Sequence, residues 1–486
     1  MSNFKDIPHI AFEEIYNFLD EKTRDNLIKY ILTDCNDPKS CVIDYIKNII
    51  NEVFFLNGEG LGIGSTGEIR NSFYRKIRTT KKNWYKQLKK DVENRSFTPI
   101  HNERDMLEKF LGSKFADENM VKSLENIKDK DQFVNSRLQE VEEWANDSKS
   151  LITDFIYLDS KKEYQIERAF HNDIVFTICE YFKNAPRNFI SHVFKDIVDN
   201  PIFADSRTKA EGEIVVDEVN NTKVLINEYK LDSDRTLRSI ISAKDDEGIE
   251  LSRTYLLDDI DQEIFQFAME NRDDEQFYNE NKIVFDIRPL LLRIYGNTGK
   301  KSYESAVKRL KKIGAVRFEG RKIGPNNEVT SDFLYNLFQH VEVKKDEGTG
   351  RVYAEISLSN ALHEEYVAKK TYKLYTPLVN RLENKLAKML FQSFQKERIQ
   401  AYLDGREIKT YYSYSFFTRR IRFRTKLIQS TLEKIEEALQ SLKDANIFLK
   451  SFERKGRGFE IILSPLSQTE IADFFTREET NNFLSD

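Results

Sequence analysis

The stretch KIVFDIRPLLLRIYGNTGKKSYESAVKRLKKIGAVRF (282–318) decides the fold. Lys282–Phe285 is a short β-like run. Asp286 follows where a carboxylate can accept from the first turn of a helix over Ile287–Tyr295. Gly296–Gly299, with Asn297 between, makes a tight turn. A second helix is expected over Lys300–Ile313, because Tyr303, Ala306, Val307, Leu310 and Ile313 recur every three or four residues. Gly314 ends it. Ala315–Phe318 opens a strand before a Gly/Pro/Asn turn at 324–327. Strands at Phe338–Val343 and Val352–Ser357 flank Gly348–Gly350. Strand, helix, turn, helix, hairpin is the order of a winged helix.

The same order recurs downstream. A long helix is expected from about Pro377 to Arg398, with Leu378, Leu382, Leu386, Met389, Leu390 and Phe394 on its core side. Tyr411–Phe417 is aromatic. Lys426–Leu442 carries Leu432, Ile435, Leu439 and Leu442 on one stripe. Ile447–Phe452 and Phe459–Leu463 then enclose the basic turn Arg454–Gly458. Upstream, Glu213–Val216 and Lys223–Tyr229 suggest a hairpin through Glu218–Thr222. Leu257–Asn271 reads as a helix with Asp258 and Asp259 in its first turn. Residues 1 to about 200 are read as mostly helical. Apolar stripes run through Ile10–Leu19, Leu27–Leu32 and Val42–Ile50, and an amphipathic helix is expected over 163–199. Residues 117–148 are charged and weakly apolar, an exposed helix or a linker.

The expected class is α+β, with a helical N-terminal region followed by two winged-helix domains. Their spans are 1–200, 206–365 and 370–466, with a short tail at 467–486. A chain of 486 residues fits two to four domains. Its net charge of −5 excludes a general polycation, so any nucleic-acid site depends on local charge. Residues 74–90 hold eight Lys or Arg and no acid; residues 419–426 hold five and none. Cys35, Cys41 and Cys179 show no disulfide-scaffold spacing and no zinc set, which fits a reducing compartment. No signal peptide and no apolar run of membrane-spanning length is present, so a cytoplasmic location and no membrane partner are expected. Neither a cofactor nor a metal is expected.

These residues resemble the replication initiators of iteron-type plasmids, which carry tandem winged helices. The resemblance covers about residues 210–465. It rests on SRTYLLDDIDQ (252–262), HVEVKKDEGTGRVYAEISLSNAL (340–362) and YTPLVNRLENKLAKMLF (375–391). These look like the family's opening segment, the hairpin closing the first winged helix, and the helix opening the second. The resemblance implies a plasmid or phage-like initiator of DNA replication, bound to direct repeats of double-stranded DNA. It also implies contact with host replication proteins, a possible homodimer and no catalytic residue.

The expected DNA-binding set follows from the faces left polar. In the first unit it is Lys300, Lys301, Ser302, Ser305, Lys308, Arg309 and Lys312 on the second helix, with Arg317, Arg321 and Lys322 on the following strand as a wing. Arg or Lys can read guanine in the major groove. In the second unit it is Arg419, Arg420, Arg422, Arg424 and Lys426, then Gln429 and Ser430, with Arg454, Lys455 and Arg457 on the wing. A solvated basic face is the competing reading of both sets. The run 74–90 mixes cations with Tyr74, Trp84 and Tyr85, as a further nucleic-acid contact or a charged helix with a packed aromatic stripe.

Two alternatives stand beside the initiator. One is a winged-helix transcriptional regulator. The other is a Mg-dependent nuclease of the PD-(D/E)xK kind, from Glu228 and Lys230 after Glu211, Glu213 and Asp217, with Glu167 on a helix. Gly62–Gly67 has the spacing of a dinucleotide loop but lacks the βαβ frame.

Overall fold

The computed structural model describes residues 7–56, 59–60, 66–94, 130–183, 188–217, 222–242, 254–323, 328–348 and 350–475. The glycine loop at 62–65, the hairpin connection at 218–221 and the turn at 324–327 lie outside the described residues. So do 117–129 and most of the tail. The class is α+β. The chain divides into two compact units, 1–185 and 186–486.

Unit 1 is helical: α1 (His9–Phe18), α2 (Glu21–Tyr30), α3 (Pro38–Phe54), α4 (Thr66–Asn94), α5 (Lys130–Asn146) and α6 (Glu163–Phe182). The expected stripes are its core, with Ile15, Leu27, Val42, Ile46, Ile49, Phe170, Ile174 and Ile178 buried. Lys81 of α4 is 2% exposed. Its ammonium donates to Asp147 O at 2.7 Å, Ser150 O at 2.8 Å and Ser150 Oγ at 2.6 Å, closing the loop after α5. Cys35 and Cys41 are disulfide-bonded, contrary to the expectation of unpaired thiols. The turn through Asp37 into α3 brings their Cα atoms to 6.4 Å, inside the reach of a disulfide. The helix expected over 163–199 stops at Phe182. Ile190–Val193 is instead a strand, β1, because it has a partner far downstream at Tyr372–Tyr375.

Unit 2 runs β1, α7 (Lys195–Asp199), β2 (Glu213–Asp217), β3 (Thr222–Lys230), β4 (Arg235–Ser242), α8 (Asp259–Glu270) and α9 (Asp274–Glu280). There follow β5 (Ile283–Asp286), α10 (Ile287–Tyr295), α11 (Lys300–Ala315), β6 (Val316–Ile323), β7 (Val329–Asn336), β8 (Phe338–Lys345) and β9 (Val352–Leu358). After α12 (Asn360–Val367) and β10 (Tyr372–Tyr375) come α13 (Thr376–Arg381) and α14 (Lys385–Leu403). The expected single helix over 377–398 is broken between these two, where Asn384 caps α14 by accepting from Ala387 N at 3.0 Å. The chain closes with β11 (Tyr411–Ser413), α15 (Tyr414–Thr418), α16 (Ile428–Asp444), β12 (Leu449–Lys455), β13 (Gly458–Leu463) and α17 (Gln468–Phe474). α17 turns the start of the expected tail into packed structure. Its Glu470 meets both terminal nitrogens of buried Arg398 at 2.8 Å.

Two repeats share one topology. β5-α10-α11-β8-β9 forms a sheet of order β8-β9-β5, and β11-α15-α16-β12-β13 forms one of order β11-β13-β12. In each, the first strand pairs antiparallel with the last strand of the hairpin. Each hairpin skips one residue near its open end, between Phe338 and His340 and between Leu449 and Ser451. The first repeat has an insertion: β6 and β7 leave it to complete a five-stranded sheet of order β2-β3-β4-β6-β7. Leu225, Leu237, Ile241, Val316 and Phe318 on the inner face of that sheet belong to the core shared by both repeats.

Arg422 lies inside this core, 3% exposed. Its guanidinium donates to Pro201 O at 2.7 Å, Asn227 Oδ1 at 2.7 Å and Ser239 Oγ at 2.9 Å, and faces the Tyr229 ring at 5.2 Å. Among the described residues no carboxylate pairs with it, and burial pulls its pKa down to about 10. It remains a cation at neutral pH. Beside it, Phe203–Asp205 forms a strap. Ala204 N donates to Leu257 O at 2.9 Å on one side, and Asp205 N donates to Arg422 O at 2.8 Å on the other.

Two stability predictions follow from these buried charges. Arg422→Met strips three acceptors of their donor and should cost about 2–4 kcal/mol in urea unfolding. A loss below about 0.5 kcal/mol would contradict the arrangement. In unit 1, burial pushes Asp173 up to about 7, against the Thr153 N–H that its Oδ2 accepts at 2.8 Å. Among the described residues its Oδ1 has no hydrogen-bond partner. The folded pKa exceeds the unfolded one, so the fold binds the extra proton and stability falls as pH rises from about 4 to about 7. The stability of Asp173→Asn relative to wild type should therefore rise by ~1–3 kcal/mol between pH 5 and pH 8. A pH-independent difference would refute this.

Candidate nucleic-acid interface

In the first repeat the turn before α11 is built by one side chain. Asn297 Oδ1 accepts from Gly299 N at 3.1 Å and from Ser302 Oγ at 2.7 Å. Gly296 sits at φ +67° as the C-cap of α10, where glycine is unstrained. α11 then buries Ala306, Leu310, Ile313 and Ala315. Lys300, Lys301, Ser305, Lys308 and Lys311 are exposed on the other side. No side chain caps the first turn, so its N–H groups point out beside Lys300 and Lys301. An anion suits such a helix start.

Two expected DNA contacts are elsewhere. Arg309 Nη1 binds Asp258 Oδ1 at 2.7 Å and Asp261 Oδ1 at 2.8 Å. Lys312 Nζ binds Asp261 Oδ2 at 2.6 Å and Leu256 O at 2.7 Å. Both carboxylates are buried at the start of α8, where Asp258 also caps the helix. Burial raises the Asp258 carboxyl, but Arg309 and Lys312 outweigh it and leave it below the usual range. Arg309 and Lys312 therefore fix α11 against α8.

The expected wing residues also move. Arg317, Arg321 and Lys322 lie on β6, in the five-stranded sheet rather than in a wing. On its outer face Glu228, Arg238, Glu319 and Arg321 form a ladder of alternating charge. Arg238 pairs with Glu228, and Arg321 Nε lies 2.9 Å from Glu319. Arg317 Nη2 lies 3.9 Å from Asp217. The same ladder takes Glu228 away from Lys230 as a nuclease pair, and no cluster of three acid, His or Cys groups able to hold a metal ion is found among the described residues. The hairpin that flanks α11 is β8–β9. Its Lys344, Lys345 and Arg351 are exposed and were not singled out in the sequence, although Gly348–Gly350 marks the turn they flank. A cleft of about 780 Å³ separates Gly350–Val352 from α10 and from Lys300 and Tyr303 of α11.

In the second repeat the nine-residue approach to α16 divides by burial. Arg422 is internal. Arg420 stacks on Phe416 at 4.0 Å, with Asp199 at 3.7 Å, and is half-buried. Arg419 lies 3.4 Å from Asp232. Arg424 and Lys426 are exposed beside the uncapped start of α16, next to Leu427, which is 71% exposed. Gln429 is held on both sides: its amide donates to Glu433 at 2.7 Å and its Oε1 accepts from Arg454 at 2.6 Å. Ser430 is half-buried. On the hairpin, Lys455 pairs with Glu453 at 2.7 Å, and Arg457 is exposed. The two helix starts thus bring together Lys300, Lys301, Ser305 and Lys308 in one repeat, and Arg424, Lys426, Arg454 and Arg457 in the other.

Two solved structures are similar to parts of this chain. The crystal structure of selenomethionine derivatives of domains 2 and 3 of RctB shares 12% identity, with a TM-score of 0.35 over 55% of this chain and 95% of that one. The crystal structure of RctB domains 2–3 shares 12% identity, with a TM-score of 0.33 over 57% of this chain and 99% of that one. No family model and no curated protein matches the chain. Among the described residues no helix is long and apolar enough to cross a membrane.

The contrast between neighbours on α11 is measurable. Lys308→Ala should leave folding stability within about 0.5 kcal/mol of wild type. Arg309→Ala removes the cation bound to buried Asp258 and one of the two bound to Asp261, and should cost about 3 kcal/mol. Equal effects in urea unfolding would show that the two side chains do not differ in role.

Proposed function

We propose that the chain is a replication initiator of a plasmid or phage-like replicon, and that its two repeats are winged helices bound to double-stranded DNA. The observation that carries this reading is the doubled frame. Each repeat presents an uncapped helix start with exposed cations at its edge, and both rest on one core. Two heads on one compact unit suit a site read across more than one groove, as direct repeats at an origin require. The resemblance of residues 210–465 to iteron-type initiators supports the same role. The work is binding and deformation of DNA, without a catalytic step or cofactor. Host replication proteins or a second copy of the chain are the further partners of this role.

In this reading Lys300, Lys301, Ser305 and Lys308 approach one major groove. Arg424, Lys426 and the exposed Leu427 approach the next. Lysine and arginine supply phosphate contacts and guanine readout, and an apolar side chain can meet a thymine methyl. Arg309, Lys312 and Arg422 take no part.

Lys301→Glu combined with Arg424→Glu should lower affinity for a duplex carrying the repeats at least tenfold and reduce the salt slope by about 2, with unchanged thermal unfolding. The same variant should fail to maintain a replicon that depends on the chain. Unchanged affinity would refute the assigned faces. Lost affinity with normal maintenance would favour a transcriptional regulator.

A further inference from the structure

Unit 1 carries a charged surface that the two repeats do not account for. α4 buries Phe73, Ile77, Lys81, Trp84 and Leu88 along one side. Their three- and four-residue spacing leaves the opposite side to Arg75, Arg78, Lys82, Lys86 and Lys89, which recur at the same intervals. Four of these are exposed and Lys82 is half-exposed. Among the described residues none of the five has a carboxylate partner, and residues 74–90 contain no acid. Of the other three cations of residues 74–90, Lys90 is exposed and two are engaged: Lys81 inside the fold, and Lys76 over the Phe73 ring at 3.8 Å. Like charges three and four residues apart destabilise a helix. Acids return to the helix only past the stripe, at Asp91 and Glu93, and a stripe of five with no paired carboxylate among the described residues is relieved by a polyanion.

We infer that this face of α4 binds the phosphate backbone of duplex DNA, as a contact separate from the two repeats. At 1.5 Å per residue the stripe from Arg75 to Lys89 is about 21 Å long, with successive charges about 5 Å apart. A phosphate backbone offers charge at comparably regular spacing. Thr79 and Asn83 lie exposed along the stripe and add neutral donors of the kind that bind phosphate oxygens. Single-stranded nucleic acid is held instead by stacking bases on exposed rings. Phe73, Tyr74 and Trp84 pack inward, and Tyr85 is half-buried with its hydroxyl facing Glu142 of α5. Trp84 is buried with its centroid 5.2 Å from Phe155, Phe73 is buried, and Tyr74 packs 6.0 Å from Phe176. The face offers charge without a stacking platform, which selects the duplex backbone without sequence preference.

The test uses the full chain carrying Arg78→Gln, Lys82→Gln and Lys86→Gln, titrated with a duplex of arbitrary sequence between 50 and 200 mM salt. The slope of log affinity against log salt should shrink by about 2–3, and affinity at the lowest salt should fall about tenfold or more. An unchanged slope overturns the proposal. The same three changes, made in a protein already carrying Lys301→Gln, Lys308→Gln and Lys426→Gln, should shrink the slope by the same amount again. If the repeats do not bind DNA, that background matches wild type while the α4 changes still weaken binding, so the two proposals fail separately. Lysine acetylation of the wild-type chain is a measurement that needs no variant. Duplex should protect Lys82, Lys86 and Lys89, and equal labelling with and without duplex overturns the assignment. Tighter binding of a single strand of the same length, lost with the same substitutions, would overturn the duplex specificity.

Discussion

A guanidinium buried with no carboxylate partner among the described residues holds unit 2 together. Arg422 reaches from the approach to α16 into the inner face of the five-stranded sheet, and satisfies a carbonyl, an amide and a hydroxyl on three separate segments. An unpaired buried charge is costly, so each of those acceptors matters. The strap at Phe203–Asp205 runs beside it, bonded to the start of α8 on one edge and to Arg422 on the other. The orientation of the second repeat relative to the first depends on this junction. Both helix starts inherit their separation from it.

Carboxylates on α8 do the same for the remaining elements. Asp258 and Asp261 take Arg309 and Lys312 of α11, while Glu263 and Glu270 take Arg293 of α10. Glu263 also takes Lys388 of α14 at 2.9 Å, and Gln262 and Gln266 both bond Gln392. A single helix thus sets the position of α10 and α11 of the first repeat and of α14. Burial raises the Glu263 carboxyl, yet Arg293 and Lys388 together bring it below the usual range. The charges of α8 are therefore structural, and the cations they consume are lost to any ligand.

That competition explains which parts of the site were legible in the sequence. The apolar stripes of α11 and α16 gave the helices, and the turn glycines gave the hairpins, because periodicity and turn chemistry are local. Lys300, Lys301 and Lys308 were legible for the same reason: they stand opposite a stripe. Arg309 and Lys312 were not, because the acids that claim them lie far upstream. Arg422 stood in a run of arginines, and nothing local marks it as the one turned inward. Strands β1, β4 and β10 were missed because their partners are distant. The insertion of β6 and β7 was misread as the wing because a strand after a second helix is normally the start of one. Only the pairing of β6 with β4 reveals otherwise.

The matched bulges put the two hairpins in one register. Counting along each hairpin from its skipped residue, Glu342, Lys344 and Glu355 fall on the same positions as Glu453, Lys455 and Glu460. In both hairpins the lysine pairs with the glutamate two residues before it, at 2.8 Å and 2.7 Å. Asp286 and Ser413 coincide as the residues that open the two short helices. Agreement in bulge, glutamate–lysine pair and helix start gives the two repeats one residue-by-residue register from the short first strand through the hairpin. The second repeat has the plainer form, and the first also carries β6 and β7, two of the five strands of the sheet that Arg422 braces.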